Sequence, residues 1–159
     1  MIRVGDNIPN VKLFRMSEKG PEAIVASDWF RGQHVVLFAV PGAFTPTCSA
    51  KHLPGYLEQS EKFKSKGIDS IACLSVNDAY VMNAWSIDQG VCNQIEMLAD
   101  GAGLFTKAAG LVLDLSKVGY GIRSIRYAMI VKDGKVKHLN VEESGKFEVS
   151  SAQTMLDLL

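Results

Sequence analysis

The run His34-Val-Val-Leu-Phe-Ala-Val40 limits what this chain can fold into more than any other stretch. Its unbroken apolar character and β-branched content fit a strand covered on both faces. Pro41 and Gly42 end that strand, Thr45-Pro46 carries the turn onward, and a helical pattern opens near Cys48. A cysteine there meets the unpaired N–H groups and the positive dipole end of a helix start. Both favour the thiolate, which is the nucleophilic form. Thr45 lies three residues before Cys48, a spacing that brings its hydroxyl within reach of the sulfur or of whatever the sulfur attacks. The stretch reads as a reaction site at the end of a buried strand.

The other segments supply that strand with neighbours. Val11–Phe14 and Glu22–Ala26 read as strands joined by Glu18-Lys-Gly-Pro21, and Ser27 as the cap of a helical turn closed by Gly32. After Cys48 a helix runs to the neighbourhood of Lys66-Gly67, with Leu53, Tyr56, Leu57 and Phe63 near one face. Pro54 cannot donate to the Ala50 carbonyl, so a kink is expected inside that helix. Ile68–Val76 reads as a strand, Asn77-Asp78 as the cap of a helix to Asp88, Ile95–Ala99 as a strand and Leu104–Ala109 as a short helix. Leu111–Gly121 is the least legible segment. Tyr127–Val131 and Val136–Val141 flank Asp133-Gly134 as an antiparallel hairpin, and Ser150 or Ser151 caps a terminal helix. This order is that of an α/β protein with a mixed sheet.

A single domain over residues 1–159 is the simplest organisation, and 47% hydrophobic residues suffice for a real core. Lys plus Arg and Asp plus Glu balance at 17 each, so no charge bias points to nucleic acid or anionic membranes. Val35–Val40 is the longest purely apolar run, far below the roughly 20 residues of a membrane span. Met1-Ile-Arg-Val-Gly-Asp-Asn has no apolar signal region, so the expected location is the cytoplasm; an organellar one would need a presequence already removed. The cysteines are Cys48, Cys73 and Cys92, an odd set without C-x-x-C. Such a set suits reduced thiols, one of them reactive.

Pro41-Gly-Ala-Phe-Thr45-Pro-Thr-Cys48 resembles the P-x-x-x-T-x-x-C signature of the peroxiredoxins, and Ser49-x-x-His-Leu-Pro-Gly-Tyr56 resembles their type II, peroxiredoxin-five-like branch. The similarity continues through Cys73-Leu-Ser-Val-Asn-Asp78, Gly121-Ile-Arg-Ser-Ile-Arg-Tyr127 and Lys132-Asp-Gly134, and so covers nearly the whole chain. The resemblance implies a thioredoxin-like fold, with a central mixed β-sheet flanked by helices. It also implies a thiol-dependent peroxidase acting on hydrogen peroxide and small organic hydroperoxides, without a cofactor. Cys48 would be the peroxidatic residue and Thr45 a hydrogen-bonding partner. Pro41 would shield the sulfur, and Arg126, directly before the aromatic-led strand, would be the catalytic arginine. Arg123 is the neighbour with which Arg126 is most easily confused.

Each residue also has a plainer reading. Buried cysteines often only fill space, threonine often stabilises a turn, and an arginine usually meets a surface carboxylate. His52, four residues beyond Cys48, suits a nucleophile–base pair or half a metal site, but a structural hydrogen bond is the better expectation. Cys73 reads as a packed strand residue, with the rival role of resolving thiol; Cys92 reads as incidental. Near the C-terminus, where mammalian peroxiredoxin-five carries its resolving cysteine, this chain has Glu148-Val-Ser-Ser151. An external thiol, either glutathione with glutaredoxin or thioredoxin, is therefore expected to recycle Cys48. Asp100-Gly-Ala-Gly103 lacks G-x-G-x-x-G and does not suggest a nicotinamide site. The family resemblance further implies a homodimer. The rival functional class is a peroxide sensor that switches a binding partner; a Cys–His hydrolase fits the Pro41/Thr45/Arg126 set less well.

Overall fold

The computed structural model describes residues Met1–Leu159, and the apolar run forms an inner strand of its main sheet. The strands are β1 (Lys12–Ser17), β2 (Gly20–Val25), β3 (His34–Ala39), β4 (Ser70–Ser75), β5 (Glu96–Ala99), β6 (Val112–Leu115), β7 (Gly121–Ser124), β8 (Tyr127–Lys132) and β9 (Lys135–Val141). The helices are α1 (Ala26–Trp29), α2 (Leu53–Glu58), α3 (Ser60–Ser65), α4 (Ala79–Asp88), α5 (Leu104–Ala109) and α6 (Ala152–Leu156). Seven strands make one mixed sheet in the order β2-β1-β5-β4-β3-β8-β9. β3, β4 and β5 are mutually parallel, while β8 pairs antiparallel to β3 and so sets Tyr127 opposite Ala39 at the end of the apolar run.

Both faces of β3 are covered, as its composition requires. Val36, Phe38 and Val40 pack with Leu53, Tyr56, Trp85 and Met155 on one side; Val35, Leu37 and Ala39 pack with Phe30, Phe105 and Met129 on the other. Phe38 stacks on Tyr56 at 4.1 Å between ring centroids and Tyr56 in turn on Phe63 at 5.6 Å, which docks α2 and α3 on the sheet.

Three sequence expectations change. Ser27 is not a cap: Val25 is, and the Ala26 N–H donates to the Val11 carbonyl, so α1 begins two residues earlier while the Ser27 hydroxyl donates to Asn10 Oδ1 at 3.1 Å. The long helix after Cys48 is three pieces: a π-helical turn (Cys48–His52), α2 and α3, with Gln59 leaving helical geometry between the last two. Pro54 explains the first break, because widening the turn before it puts the proline in the first turn of α2, where no N–H is required. Leu111–Gly121, least legible in the sequence, holds β6 and a 3-10 turn (Ser116–Val118); β6 pairs with β7 in a separate two-stranded sheet. The caps of α4 and α6 fall as expected, with Asp78 accepting from the Val81 N–H at 2.9 Å and Ser151 from that of Thr154 at 3.2 Å.

Candidate active site

The segment between β3 and the π turn is tied down from three sides. Asn77 Oδ1 accepts the Ala43 N–H at 3.0 Å and the Ser75 hydroxyl at 2.6 Å, pinning the loop to the end of β4. The Arg123 guanidinium lies over Gly42, donating to the Pro41 carbonyl at 3.4 Å and, through Nε, to the Tyr120 carbonyl at 2.9 Å. A Cβ on Gly42 would stand 2.9 Å from Arg123 Nη1 and 3.1 Å from Thr45 Cγ2, so a larger residue here would displace the Arg123 guanidinium from the loop. The third tie is Thr45, whose hydroxyl donates to the Gly42 carbonyl at 2.7 Å. Its proton is thus spent on the turn rather than on the sulfur, and what Thr45 leaves facing outward is oxygen lone pairs.

Pro46 and Thr47 already have helical backbone, so Cys48 lies within the first turn, on the π-helical segment. Ser49 accepts the Trp85 indole N–H at 3.0 Å, docking this turn on α4. The Cys48 side chain is 1% exposed, and Arg126 Nη2 donates to its sulfur at 3.2 Å. A permanent cation at that distance stabilises negative charge on sulfur and on any atom sharing the space.

Arg126 is itself held. Its Nη1 donates to His52 Nδ1 at 2.8 Å, and its guanidinium carbon stands 5.8 Å from the centroid of the Phe147 ring. On its far side His52 Nε2 meets the Ser150 carbonyl at 3.0 Å, an oxygen that also accepts the Tyr56 hydroxyl at 2.8 Å. A carbonyl can only accept, so Nε2 carries the proton and Nδ1 is the acceptor for arginine. His52 is therefore neither a base toward Cys48 nor a metal ligand, since both ring nitrogens are engaged. Its role is a structural hydrogen bond with a consequence for the site, because it turns Arg126 toward the sulfur.

Burial and the adjoining Arg126 cation push the His52 pKa down to about 3. An imidazole neutral when folded and titrating near 6.5 when unfolded stabilises the fold fully above about pH 6.5, and that stability is lost as the pH falls toward 3. Urea denaturation should show stability falling by about 1.4 kcal/mol per pH unit below pH 6.5. His52→Gln should flatten that slope between pH 6.5 and 5. An unchanged slope in the variant would remove His52 as its source.

A groove of about 560 Å³ opens beside Arg126, with Pro41, Thr47 and Lys51 on one wall and the segment Glu143–Phe147 on the other. It is wide enough for a small hydroperoxide and for the thiol that follows. The other cysteines stand apart from it. Cys73, in the middle of β4, is fully buried in the same core layer as Cys48; that burial, and next the neighbouring Cys48, push its thiol pKa well up. Cys92 is exposed, in left-handed backbone at φ 49°. The sequence reading missed Glu142 and Phe147, which hold the groups around Arg126.

Comparison with known proteins adds to this geometry. The Redoxin family model matches residues 3–156. The chain is 49% identical to "Peroxiredoxin-2E, chloroplastic" of Arabidopsis thaliana, over 99% of this chain and 69% of that one. It is 46% identical to "Peroxiredoxin-2B" of the same plant, over 99% of this chain and 98% of that one. Among solved structures, reduced Prx3 from Vibrio vulnificus in complex with hydrogen peroxide superposes with a TM-score of 0.96 at 50% identity, covering 99% of each chain.

Proposed function

This chain belongs to the redoxin family and, within it, to the peroxiredoxins, and we propose that Cys48 is its peroxidatic residue, served by Arg126, Thr45 and Pro41. Peroxiredoxins are thiol-dependent peroxidases, and this protein reduces hydrogen peroxide and small organic hydroperoxides. The observation that carries the assignment is the Arg126 hydrogen bond, 3.2 Å long, to an almost fully buried Cys48 sulfur. The thiolate attacks one peroxide oxygen, the O–O bond breaks, and the sulfur takes that oxygen as sulfenic acid. The other oxygen leaves with the bonding electrons and, once protonated, departs as water or an alcohol. A bare thiolate does this slowly; the site must bind the peroxide and stabilise charge on the leaving oxygen. Arg126 supplies that stabilisation, Thr45 accepts the peroxide O–H through its free lone pairs, and the Pro41 ring keeps water from the sulfur without adding a donor.

The sulfenic acid must then meet a thiol. Cys73 is a poor candidate, since burial keeps it protonated and it sits within a central strand. A Cys48–Cys73 bridge needs Cα atoms within about 7 Å and sulfurs turned toward each other, hence unwinding of the π turn. The reductant we assign is external: glutathione with glutaredoxin, reaching Cys48 along the groove, with thioredoxin the rival. Steady-state peroxide consumption with glutaredoxin plus glutathione, thioredoxin and a small dithiol, measured side by side, tests this. Cys73→Ser should retain at least about half the turnover with the preferred system, as a conservative change outside the reacting atoms would. Lost turnover, with a Cys48–Cys73 disulfide in peroxide-treated native protein, would make Cys73 the resolving residue. Consumption halting near one equivalent with every reductant would favour the sensor reading instead.

Homodimerisation belongs to the same reading. Phe44, on the active-site loop, is 53% exposed and Tyr80 is 66% exposed. Their segments meet where Ala43 is bonded to Asn77, and exposed aromatic side chains on both are what a second copy of the chain would cover. Sedimentation velocity distinguishes this state, and a monomer throughout would remove it. No helix is long and apolar enough to cross a membrane. Three free thiols suit a reducing compartment, and the cytoplasm is the one proposed, to be checked by fractionation of cells expressing the protein.

A further inference from the structure

Glu142 follows β9 and is nearly fully buried, yet no lysine, arginine or histidine pairs with it. Its carboxylate instead gathers four donors from one short segment. The Glu148 N–H reaches Oε1 at 2.9 Å and Oε2 at 2.8 Å; the N–H groups of Val149 and Ser150 reach Oε2 at 3.0 and 2.9 Å; the Ser150 hydroxyl reaches it at 2.7 Å. Burial would raise the pKa of this group, but the Ser150 hydroxyl and the three backbone donors outweigh it and hold the carboxyl below its ordinary value. The donors thus favour the anion, and the chain from Glu148 to Ser150 is wrapped around it.

That segment ends in the one carbonyl on which the site depends. Ser150 O receives His52 Nε2–H and thereby fixes the tautomer whose Nδ1 accepts Arg126. Glu142 also binds Arg126 through the backbone, its N–H donating to the Arg126 carbonyl at 3.0 Å. Both ends of the arginine are therefore set by one residue. We propose that Glu142 is a positioning residue for peroxide reduction: its carboxylate places the Ser150 carbonyl, which orients His52, which holds the Arg126 guanidinium on the Cys48 sulfur. The inference rests on Arg126 acting at Cys48 as assigned above.

Glu142→Gln tests it without removing volume. A glutamine with its oxygen at the Oε2 position leaves the four donors one neutral acceptor. Its NH2, which can only donate, then faces the Glu148 N–H that Oε1 accepts in the native chain. The segment loses the charge that gathers it and gains a donor–donor conflict. The second-order rate constant for hydrogen peroxide should fall about tenfold, as when a charge-assisted hydrogen bond in a site is misplaced. The pH profile of Cys48 alkylation by iodoacetamide should move to higher pH, which a residue that only stabilised the fold would not cause. Combined with Arg126→Met, the same substitution should change the rate less than about twofold, because residues acting through one another are not additive. An equal loss in both backgrounds, or a folded Glu142→Gln protein with the native rate, overturns the proposal. A silent Arg126→Met would instead overturn the site assignment beneath it. Should Glu142→Gln not fold, Ser150→Ala removes only the hydroxyl donor and should give about a threefold loss that disappears with Arg126→Met. No loss in that variant is likewise fatal.

Discussion

Cys48→Ser should abolish catalytic peroxide turnover, lowering it by at least about three orders of magnitude, because a serine hydroxyl cannot replace a thiolate in attack on an O–O bond. Cys92→Ser should stay within about twofold of native turnover, as substitutions at exposed positions away from special contacts do. Only Cys48 has an arginine on its sulfur, a helical turn around it and a groove beside it. Cys73 has burial alone, and Cys92 has exposure in a turn whose backbone serine adopts as readily as cysteine. Steady-state assays with a saturating thiol system give the measurement. Near-native turnover in Cys48→Ser would sink the mechanism whatever the other cysteines did.

How far the sequence shows this site depends on the range of each interaction. The β3 run and the Pro41-to-Cys48 spacing are local, and composition and turn chemistry suffice to place them. The α4 and α6 caps are local too, since Asp78 and Ser151 reach donors three residues on. Arg126 is not local: it stands 78 residues from Cys48, and only β8 lying beside β3 brings them together. The family pattern identifies it; periodicity does not. The π turn is a subtler case, because the sequence reveals that Pro54 disturbs the helix but not that the disturbance is absorbed before the proline. Glu142 leaves no signal, being one glutamate among charged residues at a strand end. Its donors are mostly backbone N–H groups, which any sequence provides. Leu111–Gly121 is the least legible segment for a related reason. Its hairpin is half-exposed and covers the site through Arg123, so its apolar pattern is too weak to read.

The two arginines of Gly121-Ile-Arg-Ser-Ile-Arg-Tyr127 separate on geometry, and Arg126→Met should show it. The substitution removes the donor to Cys48 Sγ and the donor to His52 Nδ1 together, leaving a buried imidazole nitrogen unpaired. Losing a preorganised donor of this kind should slow peroxide reduction about a hundredfold. Arg126→Lys should recover only part of it, since one ammonium cannot span both partners as the guanidinium fork does. Arg123→Met breaks a 3.4 Å contact to the Pro41 carbonyl and a bond to Tyr120, and neither involves the sulfur. Its cost should be less than about fivefold, arising from a looser Pro41–Gly42 segment. Stopped-flow rate constants for hydrogen peroxide, taken under pseudo-first-order conditions on all three variants, rank them directly. Should Arg123→Met prove as damaging as expected for Arg126→Met, and Arg126→Met prove silent, the catalytic cation would be Arg123 acting through the loop, and the 3.2 Å bond to Cys48 would be a resting contact without a part in the reaction.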